Sequence, residues 1–367
     1  MTYRGPLALL TALALTAAGC GSAAGAPEPA GPVATILAPS AVSGTPDLDA
    51  PQVMAEGLDV PWGLGFLPDG DALIGERNSG RILRLTPGAG QPREVFQVPG
   101  VTPAGEGGLL GLAVSPDFAR DNLVYVYFTA ENDNRISRFR LDTGNLEVVF
   151  DGITKGTYHN GGRIAFGPDG MLYAGVGDAQ NTATSQDPDS VNGKILRLTP
   201  DGQPAPGNPT PGSPVFSLGH RNVQGLAWDS AGRMFAAEFG QDELDEVNLI
   251  EAGHNYGWPD IEGEGDTHGG RYTNPLVTWK VADASPSGIA INGATAYVAA
   301  LRGQRLWTLP LNGATVGEPV AHLHERYGRL RTVQIAADGA LWATTSNTDG
   351  IGNPSDGDDR ILRFPAR

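Results

Sequence analysis

Residues 61–85 read PWGLGFLPDGDALIGERNSGRILRL. An apolar alternating segment meets a Pro-Asp-Gly turn, a second alternating segment follows, and the unit leaves on Arg-Ile-Leu-Arg. Alternation of period two marks strands, and Pro-Asp-Gly supplies a turn that returns one strand antiparallel to the last. The pattern recurs. Residues 108–141 give GLLGLAVSPDF, NLVYVYFTAE and NRISRFRL, and RIAFGPDGMLYAGVGD leads through a polar insertion to GKILRLTPDG. NVQGLAWDSAGRMFAAEFG runs on to DEVNLI, SGIAINGATAYVAALRGQRLWTLPL follows, and TVQIAADGALWATTSN closes on DRILRF at the C-terminus.

Six copies predict an all-β chain, a six-bladed β-propeller of four-stranded antiparallel blades. One blade is too small to bury its own faces, so radial stacking around a central channel is the stable solution. A β-helix or sandwich would use the same hairpins but would not explain the long, unequal insertions at 86–107, 142–161, 178–192 and 254–285. These read as active-site loops.

The bulk composition agrees. The 367 residues include 52 Gly and 29 Pro, with 40% hydrophobic residues, a profile of short strands and tight turns. A formal net charge of -16 excludes a nucleic-acid-binding surface, which needs a positive face. At the N-terminus, Arg4, an apolar run over 7–18 and Ala17-Ala18-Gly19-Cys20 match an export signal, with Ala17 where such signals more often carry Leu. Cys20 is the only cysteine, so it has no internal disulfide partner and reads as a lipoprotein acceptor; the alternative is an ordinary cleaved signal with an incidental thiol. The expected organisation is a signal over 1–20, a flexible Ala/Pro/Gly linker over 21–50 and the propeller over 51–367. The expected location is the outer face of the cytoplasmic membrane or the periplasm, with membrane contact only through the lipid.

Because propellers host many chemistries, the loops must decide function. His159, in Thr157-Tyr158-His159-Asn160-Gly161-Gly162, stands at the mouth of an inner strand, where an imidazole suits a general base; the plain alternative is a turn histidine bonded to backbone. Asp178 ends the next strand on a similar level and could orient that ring. Arg221 opens the fourth repeat beside Asn222, Arg329 and Arg331 open the sixth, and Arg302 sits in the loop of the fifth. Each alone reads as solvated surface, but together at equivalent strand ends they predict a cationic cup for carboxylates or phosphate. The run from Ala237 to Glu246 is dense in oxygen donors suited to a hard cation, yet lacks the spacing of a helical calcium loop. Asp356-Gly357-Asp358-Asp359 is expected to stay hydrated.

HNGGRIAFGPDG, VGDA, GHRNVQGLAW, EFGQDELDEVNLI and GHNYGWP, in that order, resemble the quinoprotein soluble glucose dehydrogenases and aldose sugar dehydrogenases. GEGGLLGLAVSPDF and RLRTVQIAADG extend the likeness over about 59–364. The resemblance implies oxidation of an aldose at the anomeric carbon to a lactone by bound pyrroloquinoline quinone (PQQ), with electrons passing to an external acceptor. It makes His159 the base, Asp178 its holder and Arg221 the bridge to the quinone oxygens with Asn222 beside it. Arg302, Arg329 and Arg331 would pair with the cofactor carboxylates. Gly240 and Gln241 would offer backbone oxygens to a calcium ion, and Glu246 and Tyr256 would hold a second, structural one.

The chain departs from the family at three places. Tyr158 stands where the glucose enzymes have an acid, which suits a broader aldose preference. Glu106 stands where relatives tend to have Gln near the quinone, and Arg302 replaces a Lys. Trp279 could stack on the quinone or simply pack a blade. Two other functions remain open on the same architecture: a metal-dependent lactonase-like hydrolase and a cofactor-free surface binding propeller. The sequence is compatible with a monomer or a homodimer.

Overall fold

The computed structural model describes residues 1–2 and 44–367. Chain contacts divide the protein into Met1–Thr35 and Ile36–Arg367. Only Met1 and Thr2 of the first unit are described, so the expected signal, Cys20 and most of the linker lie outside the described residues.

The second unit is six antiparallel sheets. The first blade comprises Pro61–Phe66, Ala72–Glu76, Arg81–Leu85 and Arg93–Gln97, in that order from the channel outward. Inner strands Leu109–Val114, Ile164–Phe166, Val223–Trp228 and Pro286–Asn292 begin the next four blades, and Leu330–Ile335 begins the sixth. Each inner strand touches the inner strands on both sides, which closes a ring. The sixth blade is completed by the first strand of the chain, Gln52–Ala55, paired with Ile361–Phe364. Residues just before it, which composition assigns to the linker, also pack here: the Asp47 N–H donates to the Pro365 carbonyl at 2.7 Å.

The core follows from the alternation. Second strands such as Ala72–Glu76, Leu172–Val176 and Leu341–Thr345 are buried throughout, because both faces meet neighbouring blades. Aromatic pairs fill the seams. Phe66 meets Trp342 edge to face at 5.3 Å between the first and sixth blades, and Tyr125 meets Phe166 at 5.0 Å between the second and third. The repeated arginine of the third strands also has a job: Arg84 reaches Asp69, Arg197 reaches Asp169 and Arg363 reaches Asp338, each tying the strand to its own Asp-Gly turn at 2.6–2.8 Å.

Three of the four insertions are not simply loops. Segment 86–107 contains Arg93–Gln97, 142–161 contains Leu146–Ile153, and 254–285 contains Val277–Lys280, the outermost strands of their blades. Outer strands are wetted on much of their surface and carry no clean apolar alternation, which hid them in the sequence. Asp359 corrects the expectation of a hydrated acidic loop. It is fully buried and accepts hydrogen bonds from the Thr345 hydroxyl and the Asn347 N–H.

This topology positions the site. Inner strands start, and second strands end, at the same rim of the ring, while the Pro-Asp-Gly turns lie at the other.

Candidate active site

At the strand-start rim lies a cavity of about 650 Å³ whose wall includes Arg77, Glu106, Tyr158, His159, Arg221, Gly240, Gln241, Arg302, Arg329, Arg331 and Asp349. All six blades contribute: Glu106 precedes the inner strand of the second, His159 that of the third, Arg221 that of the fourth and Arg329 that of the sixth, which contains Arg331. Arg77 follows the second strand of the first blade, and Arg302 follows that of the fifth. The predicted convergence of imidazole and guanidinium groups is therefore observed, with Arg77 and Asp349 as additions.

His159 is held on both sides. Its backbone is left-handed at φ 61, a conformation that costs a non-glycine residue free energy and persists only where neighbours enforce it. The His159 N–H donates to Glu106 Oε2 at 2.9 Å, and its carbonyl accepts from Ala179 at 3.1 Å. Behind it, Gly177 is required because a Cβ there would lie 1.9 Å from the His159 carbonyl oxygen. The ring Nδ1 sits 2.7 Å from Asp178 Oδ1. The His159 side chain keeps 17% of its surface exposed in the cavity wall, whereas Asp178 has none.

Asp178 also receives the Gln180 N–H at 2.8 Å on Oδ1 and the Trp258 indole N–H at 2.9 Å on Oδ2. Burial alone would raise its pKa, but hydrogen bonding and charge interaction with His159, supported by these donors, hold the carboxyl below the usual range. Trp258 was not evident from the sequence as a site residue. It joins the base to the arginine cup, because the Arg221 guanidinium lies 5.5 Å from the centre of its ring.

Arg221 is anchored by its backbone. Glu238 Oε1 accepts the N–H groups of Arg221 and Asn222, and Oε2 lies 2.8 Å from His220 Nδ1. The Arg221 side chain donates to the Phe239 carbonyl at 3.2 Å, and burial draws its pKa below the ordinary value. Arg221 Nε and Asn222 Nδ2 are buried without a hydrogen-bond partner. Asn222 lies just under the wall, where its Oδ1 accepts the Gly161 N–H at 3.0 Å.

Arg329 and Arg331 converge on Asp349 Oδ2, at 3.0 and 3.4 Å, and Arg77 donates to the Asp349 carbonyl at 3.2 Å. Burial would raise the Asp349 carboxyl, but Arg331 and Arg329 hold it low. Burial pushes Arg331 down to about 10. Beneath the cup, Arg331 donates to Gln224 Oε1 at 3.2 Å, Ser287 donates to the same oxygen at 2.9 Å, and Thr332 donates to the Trp62 carbonyl at 2.6 Å. These bonds form a floor across the channel.

The acidic run has a local purpose. Glu262 Oε1 accepts the N–H groups of Gln241, Asp242, Glu243 and Leu244, and Asp245 accepts that of Gly240 at 3.0 Å. The carboxylates thus fix the turn that carries Gly240 and Gln241 into the cavity wall. Burial pushes the Asp245 carboxyl up to about 6.

Three expected positions lie elsewhere. Trp279 packs against Trp307 with ring centres 5.5 Å apart, among Phe235, Val247 and Val298, so it fills the seam of the fourth and fifth blades and does not line the cavity. Glu246 is buried beside Asn248, and burial together with Glu238 drives its carboxyl well above the ordinary range. The Tyr256 hydroxyl donates to the Leu249 carbonyl at 2.6 Å and accepts the Glu251 N–H, away from the cavity. Among the described residues, no group of three or more His, Cys, Asp or Glu side chains could hold a metal ion.

Residues 58–353 match the family described as glucose/sorbosone dehydrogenase. Quinoprotein glucose dehydrogenase B of Acinetobacter calcoaceticus is 32% identical over 281 residues, which covers 65% of this chain but only 59% of that relative. Aldose sugar dehydrogenase YliI of Escherichia coli strain K12 is 29% identical over 339 residues, covering 82% of this chain and 90% of that protein. Among solved structures, the PQQ-bound form of aldose sugar dehydrogenase from Streptomyces coelicolor superposes with a TM-score of 0.84 at 52% identity, covering 88% of this chain and all of that one.

Proposed function

The chain belongs to the glucose/sorbosone dehydrogenase family, and from that premise we propose that it oxidises aldoses at the anomeric carbon to lactones, using PQQ, with His159 as the base. The observation that carries the reading is the His159–Asp178 pair opening into the same cavity as five guanidinium groups.

The residues fit the cofactor. Five arginines face Glu106 and Asp349 around the cavity, leaving an excess of three positive charges opposite the three carboxylates of PQQ. Arg221 Nε and Asn222 Nδ2, buried without partners, are donors that a bound oxygen would satisfy. The cavity volume lies within the ~300–1,000 Å³ of small-molecule sites. Glu106 does not oppose binding, because its carboxylate accepts the His159 N–H and shares the field of Arg77, Arg221 and Arg331.

PQQ, when bound, supplies the two-electron acceptor for the hydride from sugar C1. His159 takes the C1 hydroxyl proton at Nε2, the ring nitrogen not engaged by Asp178. Asp178 fixes the tautomer by accepting from Nδ1–H and stabilises the imidazolium once the proton has moved. Trp258 and Gln180 hold that carboxylate still. Arg221 donates toward the oxygens of cofactor and substrate, where negative charge develops. Arg77, Arg302, Arg329 and Arg331 orient the carboxylates.

The proposal includes calcium bound by the carbonyl oxygens of Gly240 and Gln241, supported by the turn that Glu262 and Asp245 hold in the wall. It also includes a structural calcium at Glu246 and Tyr256. Burial and the charge of Glu238 raise the Glu246 carboxyl, an effect a cation there would reverse, and Tyr256 would offer its carbonyl because its hydroxyl is engaged. Export with Cys20 as the lipid-bearing residue completes the reading and rests on the N-terminal sequence. Electrons leave to an external acceptor.

The test is reconstitution of purified apoprotein with PQQ and calcium, followed by a panel of aldoses and an artificial acceptor. Acceptor reduction that requires quinone is expected. Lactone hydrolysis without quinone, or tight quinone binding with no aldose oxidised, would overturn the proposal.

A further inference from the structure

Below the floor of the active-site cup the channel opens again. A second cavity, about 310 Å³, lies between the turn-side ends of the inner strands of all six blades, and it shares no wall residue with the cup. Its wall is apolar residues and backbone, with Gln334 and a single charged side chain, Arg163.

Arg163 is an exception among the buried arginines of the channel. Arg329 and Arg331 face Asp349, and Arg221 lies in the field of Asp178 and Glu238. Arg163 has no carboxylate partner among the described residues. Its Nε donates to the Gln224 carbonyl at 2.7 Å and its Nη2 to the Thr332 hydroxyl at 2.9 Å, both neutral acceptors. The nearest charge acting on it is Arg331, of like sign. Trp62, 4.2 Å from the guanidinium, offers its π face but no formal charge. Nη1 makes no hydrogen bond within the described residues, although the residue is 8% exposed and forms part of the cavity wall. Buried cations are ordinarily paired with an anion. Here the protein supplies the cation and a cavity beside it.

We propose that the lower channel is an anion site, in which Arg163 binds one small monovalent inorganic anion. A lone guanidinium that keeps two neutral partners suits a singly charged, weakly hydrated ion, so bromide and nitrate should bind more tightly than chloride, and doubly charged, strongly hydrated sulfate should not bind. Burial also draws the Arg163 pKa down to about 9, which a bound anion would reverse.

The inference is independent of the quinone reading and is tested on quinone-free full-length protein. Crystals grown in bromide should show an anomalous peak within hydrogen-bond distance of Arg163. In solution, replacing sulfate by bromide at constant ionic strength should raise the melting temperature by on the order of 2–4 °C at ten times the dissociation constant. Arg163→Met should abolish both effects. Absence of anomalous density at Arg163 in the wild-type protein overturns the proposal, whatever the variant does. So does a bromide peak at molar concentration without any shift in solution, or a shift that survives in Arg163→Met.

Discussion

Nδ1 of His159 lies 2.7 Å from Oδ1 of Asp178, so the imidazole is fixed by a carboxylate with no exposed surface while its other nitrogen remains for chemistry. His159→Ala should fold and bind quinone with unchanged affinity, yet lose ~10²–10⁴-fold in kcat. Acceptor-linked oxidation and quinone titration on one preparation check both halves; undiminished turnover would refute the base assignment.

Asp178→Asn should lower kcat by at least ~10²-fold, because an amide can present its N–H to Nδ1 and reverse the tautomer. A stability effect accompanies it. The Asp178 carboxyl is held below the ordinary aspartate range, so its contribution is complete above that range and is lost as pH falls through the lower folded value. Denaturant melts of wild type and variant should therefore differ at neutral pH and converge in acid.

Trp258→Phe removes one N–H donor from Asp178 and keeps an aromatic ring under Arg221. A hydrogen bond to a charged group contributes about 1.5–3 kcal/mol. We expect kcat to fall by on the order of tenfold, the acid limb of the pH–rate profile to move, and KM to change little. A wild-type profile at reduced stability would indicate a packing role only.

Arg329→Gln should weaken quinone binding by roughly 10–100-fold, the loss of one charge-assisted contact. Wild-type affinity should also fall with ionic strength, since the cup attracts through an excess of positive charge. Equilibrium titration over a salt series reads both; a salt-independent affinity would contradict the charge argument.

Chelating calcium should weaken quinone retention, and re-addition should restore it. Glu246→Gln should leave the ion at Gly240 and Gln241 in place and lower thermal stability in calcium, because only the structural ion is lost. Equal quinone binding in calcium-depleted and calcium-loaded protein would remove calcium from the cofactor site.

The repeats made the propeller legible because inner and second strands are buried on both faces and stay mostly apolar or small along their length. The outer strands Arg93–Gln97 and Val277–Lys280 lie where water relaxes that demand. His159, Arg221, Arg302, Arg329 and Arg331 could be grouped from sequence because they occupy equivalent strand ends. Arg77 follows the same rule at the end of the first blade's second strand and could have been found by it. Trp258 could not, since it reaches Asp178 from a long loop 80 residues away. Trp279 misled because seams between blades and stacking on a ligand both demand large aromatic rings.

The first strand of the chain and the last are partners in one blade, and Gly44 accepts a hydrogen bond from Asn292 at the turn-side rim. The described polypeptide therefore joins the ring at its turn-side rim. The rim that carries His159 and the arginine cup lies at the opposite end of the channel from that entry point.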